Sequence, residues 1–329
     1  MLPSTGTARL RPTSGPPRPT RRMRRGAGIA GAFVSCGMTI LAPNLTAPPS
    51  AANFVGRNGY LATAARGDIW AALPDGSQPQ QLTSSAEFDS DPSYSASGRL
   101  IAFIRDGNVW LMGADGTDQH SVTSLPEGLS ASSPTLSPTS AKVVFAVRDD
   151  SAGMADSGIY QVRLDGNNLR RLAHPRGSLF DLVYAPTGRR ILFVQFPNPP
   201  SRHSRVWVMH SDGTDRRRIA STRNVYDVDW SPTSNRIVYA DYANVVIVRA
   251  SDGREQWRKQ VANSDMGDLL SSVAWSPDGR QIAVSVDYNG GTSLRILEVG
   301  TRELQSVPVF WPDGFDVYLY GLTWQPRPL

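Results

Sequence analysis

Short apolar runs alternate with polar turns along most of the chain. Five of these runs are rich in β-branched or aromatic residues and span positions 100–103, 143–146, 191–194, 237–239 and 282–284. They are too short for typical helices, and Gly, Pro, Asp or Ser separates them from the next run. The pattern therefore predicts many short strands with turns between them.

A turn that opens with a large residue recurs six times. The copies begin at Tyr94, Leu136, Tyr184, Trp230, Trp275 and Trp324, with spacings of 42, 48, 46, 45 and 49 residues. In the copy Ser276-Pro-Asp-Gly279, Pro and Gly occupy the positions that a type I turn favours. The sequence is therefore built from a repeat of about 45 residues.

A second turn, mostly Asp-Gly, lies between strand runs in the later part of each repeat. Its clearest copies are Asp115-Gly116, Asp165-Gly166, Asp212-Gly213 and Asp252-Gly253. Asp-Gly between two strand runs is a hairpin signal, because Gly tolerates positive φ. Each repeat then contains four antiparallel strands, the composition of a β-propeller blade.

The two ends of the repeat region complement each other. Positions 60–83 contain only the later strands of a repeat, and positions 322–324 contain only the first. Joined, they complete one blade. We expect an all-β fold, a six-bladed β-propeller of four-stranded antiparallel blades closed by pairing of its N- and C-terminal strands.

Several repeat motifs resemble those of a known family. Asp91-Pro-Ser-Tyr-Ser95 and the stretch from Asp75-Gly76 to Leu82-Thr83 are similar to the WD40-like repeat of the TolB family, and the similarity extends from about residue 55 to 326. The resemblance implies a non-enzymatic scaffold that binds a protein in the bacterial periplasm. TolB also has an α/β domain before its propeller, for which residues 26–55 leave no space, so only the propeller and scaffold role carry over.

The charge of the chain is unevenly distributed. Residues 1–52 contain seven Arg and no acidic residue, although the whole chain has a net charge of +5. Residues 53–329 therefore carry 27 basic and 29 acidic side chains. This balance argues against a nucleic-acid-binding protein, which needs a basic folded domain. We expect a disordered basic leader with a signal peptide, residues 1–52, and a propeller, residues 53–329.

The leader has the features of an export signal. An uncharged stretch at 26–42 follows Arg24-Arg25, and cleavage after Ala52 fits the small residues there. Alternatively, Phe33–Gly37 resembles a lipobox, which makes Cys36 a lipidation candidate, or the stretch stays as an uncleaved anchor. Each route exports the domain to the periplasm, cell envelope or medium, and the membrane is reached only through the leader.

Acidic residues recur at the start of the first strand of each repeat. Asp91, Asp181 and Asp227 lie three positions before the large residue, and Asp89, Asp229, Asp268 and Asp316 lie nearby. In a propeller, the first strand begins beside the central channel. We expect a carboxylate rim that attracts a cation or a basic partner segment; the alternative is that each Asp bonds local backbone.

An aromatic segment precedes the last strand. Positions 309–320 contain five aromatic residues, among them Phe310, Trp311 and Phe315. If exposed, these three would anchor an interface. If buried, they would cover the channel or a blade edge.

Catalytic signatures are sparse. The sequence has no G-x-S-x-G, H-E-x-x-H or C-x-x-C motif. We expect no catalytic residue, cofactor or metal, and a monomer that binds a protein or peptide. The alternative is a secreted hydrolase or lyase acting on a glycan in the channel through paired carboxylates.

Overall fold

Six four-stranded antiparallel sheets make up the part of the chain that the computed structural model describes, residues 56–149, 157–197, 203–289, 291–308 and 319–328. We number these sheets as blades 1 to 6. Blade 1 contains β1 (Arg57–Ala65), β2 (Asp68–Ala72), β3 (Gln80–Gln81) and β24 (Tyr320–Arg327); blade 2 contains β4 (Asp89–Tyr94), β5 (Leu100–Arg105), β6 (Asn108–Gly113) and β7 (His120–Ser121); blade 3 contains β8 (Leu129–Leu136), β9 (Lys142–Asp149), β10 (Ser157–Arg163) and β11 (Arg170–Ala173). Blade 4 contains β12 (Ser178–Tyr184), β13 (Arg190–Phe196), β14 (Ser204–His210) and β15 (Arg217–Thr222); blade 5 contains β16 (Val225–Trp230), β17 (Arg236–Asp241), β18 (Asn244–Arg249) and β19 (Glu255–Gln260); blade 6 contains β20 (Leu269–Trp275), β21 (Gln281–Tyr288), β22 (Gly291–Glu298) and β23 (Leu304–Val307).

The blades form a closed ring. The inner strands of successive blades contact one another in the order β24, β4, β8, β12, β16 and β20, and β20 contacts β24 again. The remaining strands of each blade follow outward in sequence order. The predicted six-bladed propeller is therefore confirmed.

The ring is closed by strands from opposite ends of the chain. β24 pairs antiparallel with β1, with Leu61 opposite Trp324 and Ala62 opposite Thr323. Blade 1 thus takes its inner strand from the C-terminal part of the sequence. This is the closure that the complementary ends predicted.

The large residues of the repeat form the core between neighbouring blades. Trp230, Trp275 and Trp324 are fully buried, and Tyr94 is nearly so. One apolar cluster runs through blades 3, 4 and 5 and includes Trp230. Burying an aromatic side chain stabilises a fold by several kcal/mol, so these positions hold blade to blade.

The turn after the inner strand of blade 6 is fixed by its own side chains. In Ser276-Pro-Asp-Gly279, the Ser276 Oγ donates to Asp278 Oδ1 at 2.7 Å and accepts from the Gln281 backbone N at 2.8 Å. Gly279 has φ of 77°, a conformation that favours glycine. The Ser and Gly of the repeat are therefore turn residues.

Strand direction gives the ring two different faces. Each inner strand begins at the same side of the ring, because every blade has four alternating strands. Connections after the second and fourth strands therefore share one side, which we call the loop face. Connections after the first and third strands share the other, which we call the turn face.

Helix is nearly absent from the described ranges, which contain one short 3-10 helix, Ser264–Met266. No helix in these ranges is long and apolar enough to cross a membrane.

Candidate functional site

The position three before the large repeat residue lies on the inner strand, where the backbone departs from regular pairing. The backbone is left-handed at four of the six copies, with φ of 57° at Asp91, 51° at Ser133, 44° at Asp181 and 68° at Gly321. The pairing register shifts at this position in β4, β8 and β12. Gly and Asp are among the residues that tolerate this conformation most readily. Backbone geometry is thus one reason for the residue types at this position.

Side chains at this position connect one blade to the next. Asp91 Oδ2 accepts a hydrogen bond from the backbone N of Ser133 at 2.9 Å. The Ser133 Oγ in turn accepts from the backbone N of Asp181 at 3.1 Å. Blades 2, 3 and 4 are therefore joined through consecutive copies of the same repeat position.

Asp227 connects blades 5 and 6. Its Oδ2 accepts from the Ser272 Oγ at 2.5 Å and from the Val273 backbone N at 2.8 Å, and its Oδ1 accepts from the Val228 backbone N at 2.6 Å. The Ser272 Oγ also accepts from the Leu322 backbone N at 2.9 Å, which extends the connection to blade 1.

A second set of links lies two residues further along the inner strands. Asp229 Oδ2 accepts from the Trp275 backbone N at 2.7 Å. The hydroxyls of Thr135 and Thr323 accept from the backbone N of Tyr184 and Tyr94, each at 3.2 Å. Asp229 is therefore a link between blades 5 and 6.

Asp181 is unlike the other inner-strand carboxylates. It is fully buried, and apart from the neighbouring Asp227 carboxyl its oxygens have no hydrogen-bond partner in the described part of the chain. Burial raises its pKa well above the ordinary value, and the nearby charges of Asp227 and Asp91 raise it further. The geometry therefore favours a neutral Asp181 beside Asp227.

The two neighbouring carboxyls are also perturbed. Burial raises the pKa of Asp91 to about 6, against the hydrogen bond from Ser133. Burial likewise raises the pKa of Asp227, although Ser272 and Val273 donate to it. Blades 2, 4 and 5 thus bring three buried acids close enough to influence one another, an arrangement that can hold a proton.

The remaining predicted acids have other surroundings. Asp89 is buried and paired with Arg105. Asp268 is half-buried on the loop before β20, and its backbone N donates to the Asn263 carbonyl at 3.1 Å. Asp316, Phe310, Trp311, Phe315 and Cys36 lie outside the described residues. In the described ranges, no group of three or more His, Cys, Asp or Glu is arranged to hold a metal ion.

Exposed apolar side chains gather on the loop face. Phe88 is 62% exposed and Met266 is 74% exposed, and Tyr242 and Tyr288 are each more than a third exposed. Phe88, Tyr242 and Met266 lie on connections after a second or fourth strand, and Tyr288 is the last residue of the second strand β21. Scattered loop residues carry no repeat signal, so these four could not be identified from the sequence.

Comparison with known proteins gives matches to propellers. No family model matches the chain. It is 38% identical over 61 residues, 18% of its length, to the Tol-Pal system protein TolB of Thioalkalivibrio sulfidiphilus. The matches to curated relatives span only 13% and 45% of those proteins, less than half of either.

Two solved structures illustrate the range of proteins with this fold. TolB from Acinetobacter baumannii superposes with a TM-score of 0.67 at 17% identity, covering 82% of this chain and 67% of that one. An oligogalacturonate lyase in complex with manganese superposes with a TM-score of 0.54 at 12% identity, covering 72% and 69%. The chain therefore has a TolB-like six-bladed β-propeller fold.

Proposed function

We propose that this chain is an exported, non-enzymatic propeller of the bacterial cell envelope that binds a protein or peptide partner on its loop face. The observation that carries the proposal is the grouping of Phe88, Tyr242, Met266 and Tyr288 on that face. Exposed aromatic and Met side chains are typical anchors of protein interfaces. The short TolB match and the TolB-like fold support the same class of function.

The inner-strand acids fit a scaffold as well. Asp91, Asp227 and Asp229 accept hydrogen bonds from the next blade. A carboxylate used in this way stabilises the ring, so its presence beside the channel does not require a reaction. Of the seven acids proposed as a channel rim, Asp89, Asp91, Asp181, Asp227 and Asp229 are buried, so attraction of a basic partner segment is proposed chiefly for the half-buried Asp268 and for Asp316.

Site-specific photocrosslinking in living cells tests this function. A photoreactive residue in place of Phe88, Tyr242 or Met266 should give a defined adduct with an envelope protein. Matched sites at Gln78 and Asp115, exposed on the turn face, should not give that adduct. Adducts of the same protein at both sets of sites, or at neither, would argue against a loop-face interface.

One observation favours the alternative, a secreted hydrolase or lyase acting on a glycan. Asp181 lies beside Asp227, burial raises the pKa of both, and a pair of carboxyls that includes one with a raised pKa is typical of glycan-cleaving sites. The structural likeness to an oligogalacturonate lyase agrees with this alternative. Purified protein should then release reducing ends or unsaturated products from acidic or neutral oligosaccharides, and Asp181→Asn should abolish the release.

A further inference from the structure

Arginine side chains form a continuous exposed strip on one part of the turn face. We define the arginine edge as six residues of blades 3, 4 and 5: Arg170, Arg171, Arg189, Arg216, Arg218 and Arg254. All six are exposed. Residues 53–329 as a whole contain slightly more acidic than basic side chains, so this strip is a marked segregation of charge.

The edge is continuous because the blades pack closely at their outer turns. A Cβ at Gly213, in the turn between β14 and β15, would overlap the carbonyl oxygen of Leu172 on β11. A Cβ at Gly253, in the next blade, would overlap the carbonyl oxygen of Ile219 on β15. These contacts bring Arg171, Arg216 and Arg218 onto neighbouring strands and turns.

Nearby aspartates neutralise the edge only in part. Asp165 pairs with Arg163 and Asp252 with Arg249, each at 3.4 Å. Asp212 contacts the Thr214 hydroxyl and Asp215 the His210 ring, and the six arginines outnumber these two carboxylates. None of the six arginines of the edge has an ion pair in the described ranges.

Protection of sheet edges does not explain the arginines. Charged residues on an outermost strand can prevent edge-to-edge pairing. The outermost strand of blade 1, however, contributes Gln80 and Gln81, and that of blade 2 contributes His120 and Ser121. Edge protection alone therefore does not account for the arginines of blades 3, 4 and 5.

An apolar residue projects beside the arginines. Leu169, next to Arg170 and Arg171, is 44% exposed and is the one strongly exposed large apolar side chain described on the turn face. Basic side chains with an adjacent apolar one fit a phospholipid surface, which offers charge at the headgroups and hydrocarbon beneath them. A soluble polyanion offers the charge alone.

We propose that the arginine edge docks the propeller onto an anionic phospholipid surface, with Leu169 entering the headgroup region. The inference is independent of the partner proposed for the loop face, because it concerns the opposite side of the ring. Each arginine near such a surface should strengthen binding about fivefold at low salt. Binding should weaken as the salt concentration rises.

Vesicle co-sedimentation of the full chain tests the proposal, with vesicles of phosphatidylglycerol and phosphatidylcholine at 3:7. The triple variant Arg171→Glu, Arg216→Glu and Arg218→Glu should weaken binding more than a hundredfold. The matched triple variant Arg57→Glu, Arg99→Glu and Arg280→Glu reverses three exposed arginines of the turn face in blades 1, 2 and 6. This matched variant should lose much less vesicle binding. Both variants keep the leader arginines, so a difference between them comes from the propeller.

A fluorescent label reports the orientation of the bound protein. In a Cys36→Ser background, an environment-sensitive dye on Leu169→Cys should shift to the blue when vesicles are added, and the same dye on Ser77→Cys should not. Circular dichroism confirms that each variant is folded. Equal losses for the two triple variants, no shift at position 169, or binding to heparin without binding to vesicles would overturn the proposal.

Discussion

The guanidinium of Arg105 meets the carboxylate of Asp89 through two hydrogen bonds, Nε to Oδ1 at 2.6 Å and Nη2 to Oδ2 at 2.7 Å. Both side chains are almost completely buried. The guanidinium also lies 4.8 Å from the ring centroid of Trp110. Asp89 begins the inner strand β4 and Arg105 ends β5, so the pair fixes the loop-face end of blade 2.

Arg105→Gln should destabilise the propeller by about 3–5 kcal/mol, because it leaves the Asp89 carboxylate buried without its counter-charge. The free energy of unfolding in urea measures the loss. Arg249→Gln is the matched control, since Arg249 pairs with Asp252 at the surface. That exposed pair should contribute no more than about 1 kcal/mol, and equal losses would contradict the role of burial.

Asp181→Asn should raise the melting temperature at pH 8 by several degrees. The folded protein raises the pKa of Asp181, so its neutral form stabilises the fold fully below the unfolded pKa of about 4. That stabilisation is lost as the pH rises through the folded pKa. The rise in melting temperature caused by Asp181→Asn should therefore be largest at pH 8 and vanish near pH 4. Thermal melts of both proteins at pH 4 to 8 measure it.

Asp227→Asn should have the opposite effect. The Asp227 carboxylate accepts hydrogen bonds from the backbone of Val228 and Val273 and from the Ser272 hydroxyl. An amide has one acceptor oxygen, so buried donors would lose partners at a cost of about 1–3 kcal/mol. A gain in stability from Asp227→Asn would contradict the role of Asp227 as the acceptor for these buried donors.

The Asp91 carboxyl should give the wild-type protein a component of stability that falls with rising pH. Its folded pKa of about 6 lies above the unfolded value, so the stabilisation is complete below pH 4 and lost as the pH passes through 6. The loss should be about 3 kcal/mol. Unfolding of the wild type and of Asp91→Asn at pH 4 to 8 measures it, and parallel pH profiles for the two proteins would contradict it.

Removal of residues 318–329 should destabilise the whole ring by more than about 5 kcal/mol, because the fully buried Trp324 and nearly buried Leu322 would be lost together with the pairing to β1. Removal of Pro328 and Leu329 alone should leave the melting temperature unchanged. A truncated chain that melts at the full temperature would show that blade 1 does not depend on β24.

Much of the fold follows from the sequence because the repeat encodes it locally. Trp230 and Trp275 are buried as expected, and the Asp75 carboxylate accepts from the Ser77 backbone N at 2.9 Å as a turn residue does. Complementary ends also predicted the pairing of β24 with β1. Each of these patterns is either local, within about ten residues, or recurs at the same position of each repeat. Both kinds can be recognised without knowledge of the fold.

The arrangement of the acids could be predicted only in part. Repeat position placed Asp91, Asp181 and Asp227 on inner strands, but it did not reveal that Asp91 and Asp227 hold backbone groups of the next blade. That depends on the local bulge and on the neighbouring residues Ser133 and Ser272. The arginine edge could not be predicted from the sequence either. Its residues are far apart along the chain and become neighbours only when blades 3, 4 and 5 pack against one another.

The pairing of β1 with β24 constrains how the propeller reaches its native state. These partners are separated by more than 250 positions, whereas neighbouring strands of blades 2 to 6 are close in sequence. During synthesis, blades 2 to 6 can assemble while β1, β2 and β3 still have an unpaired edge. Such long-range pairing is a slow folding step, and the waiting edge is prone to association with other chains. The ring can therefore close only after residues 320–327 have been synthesised.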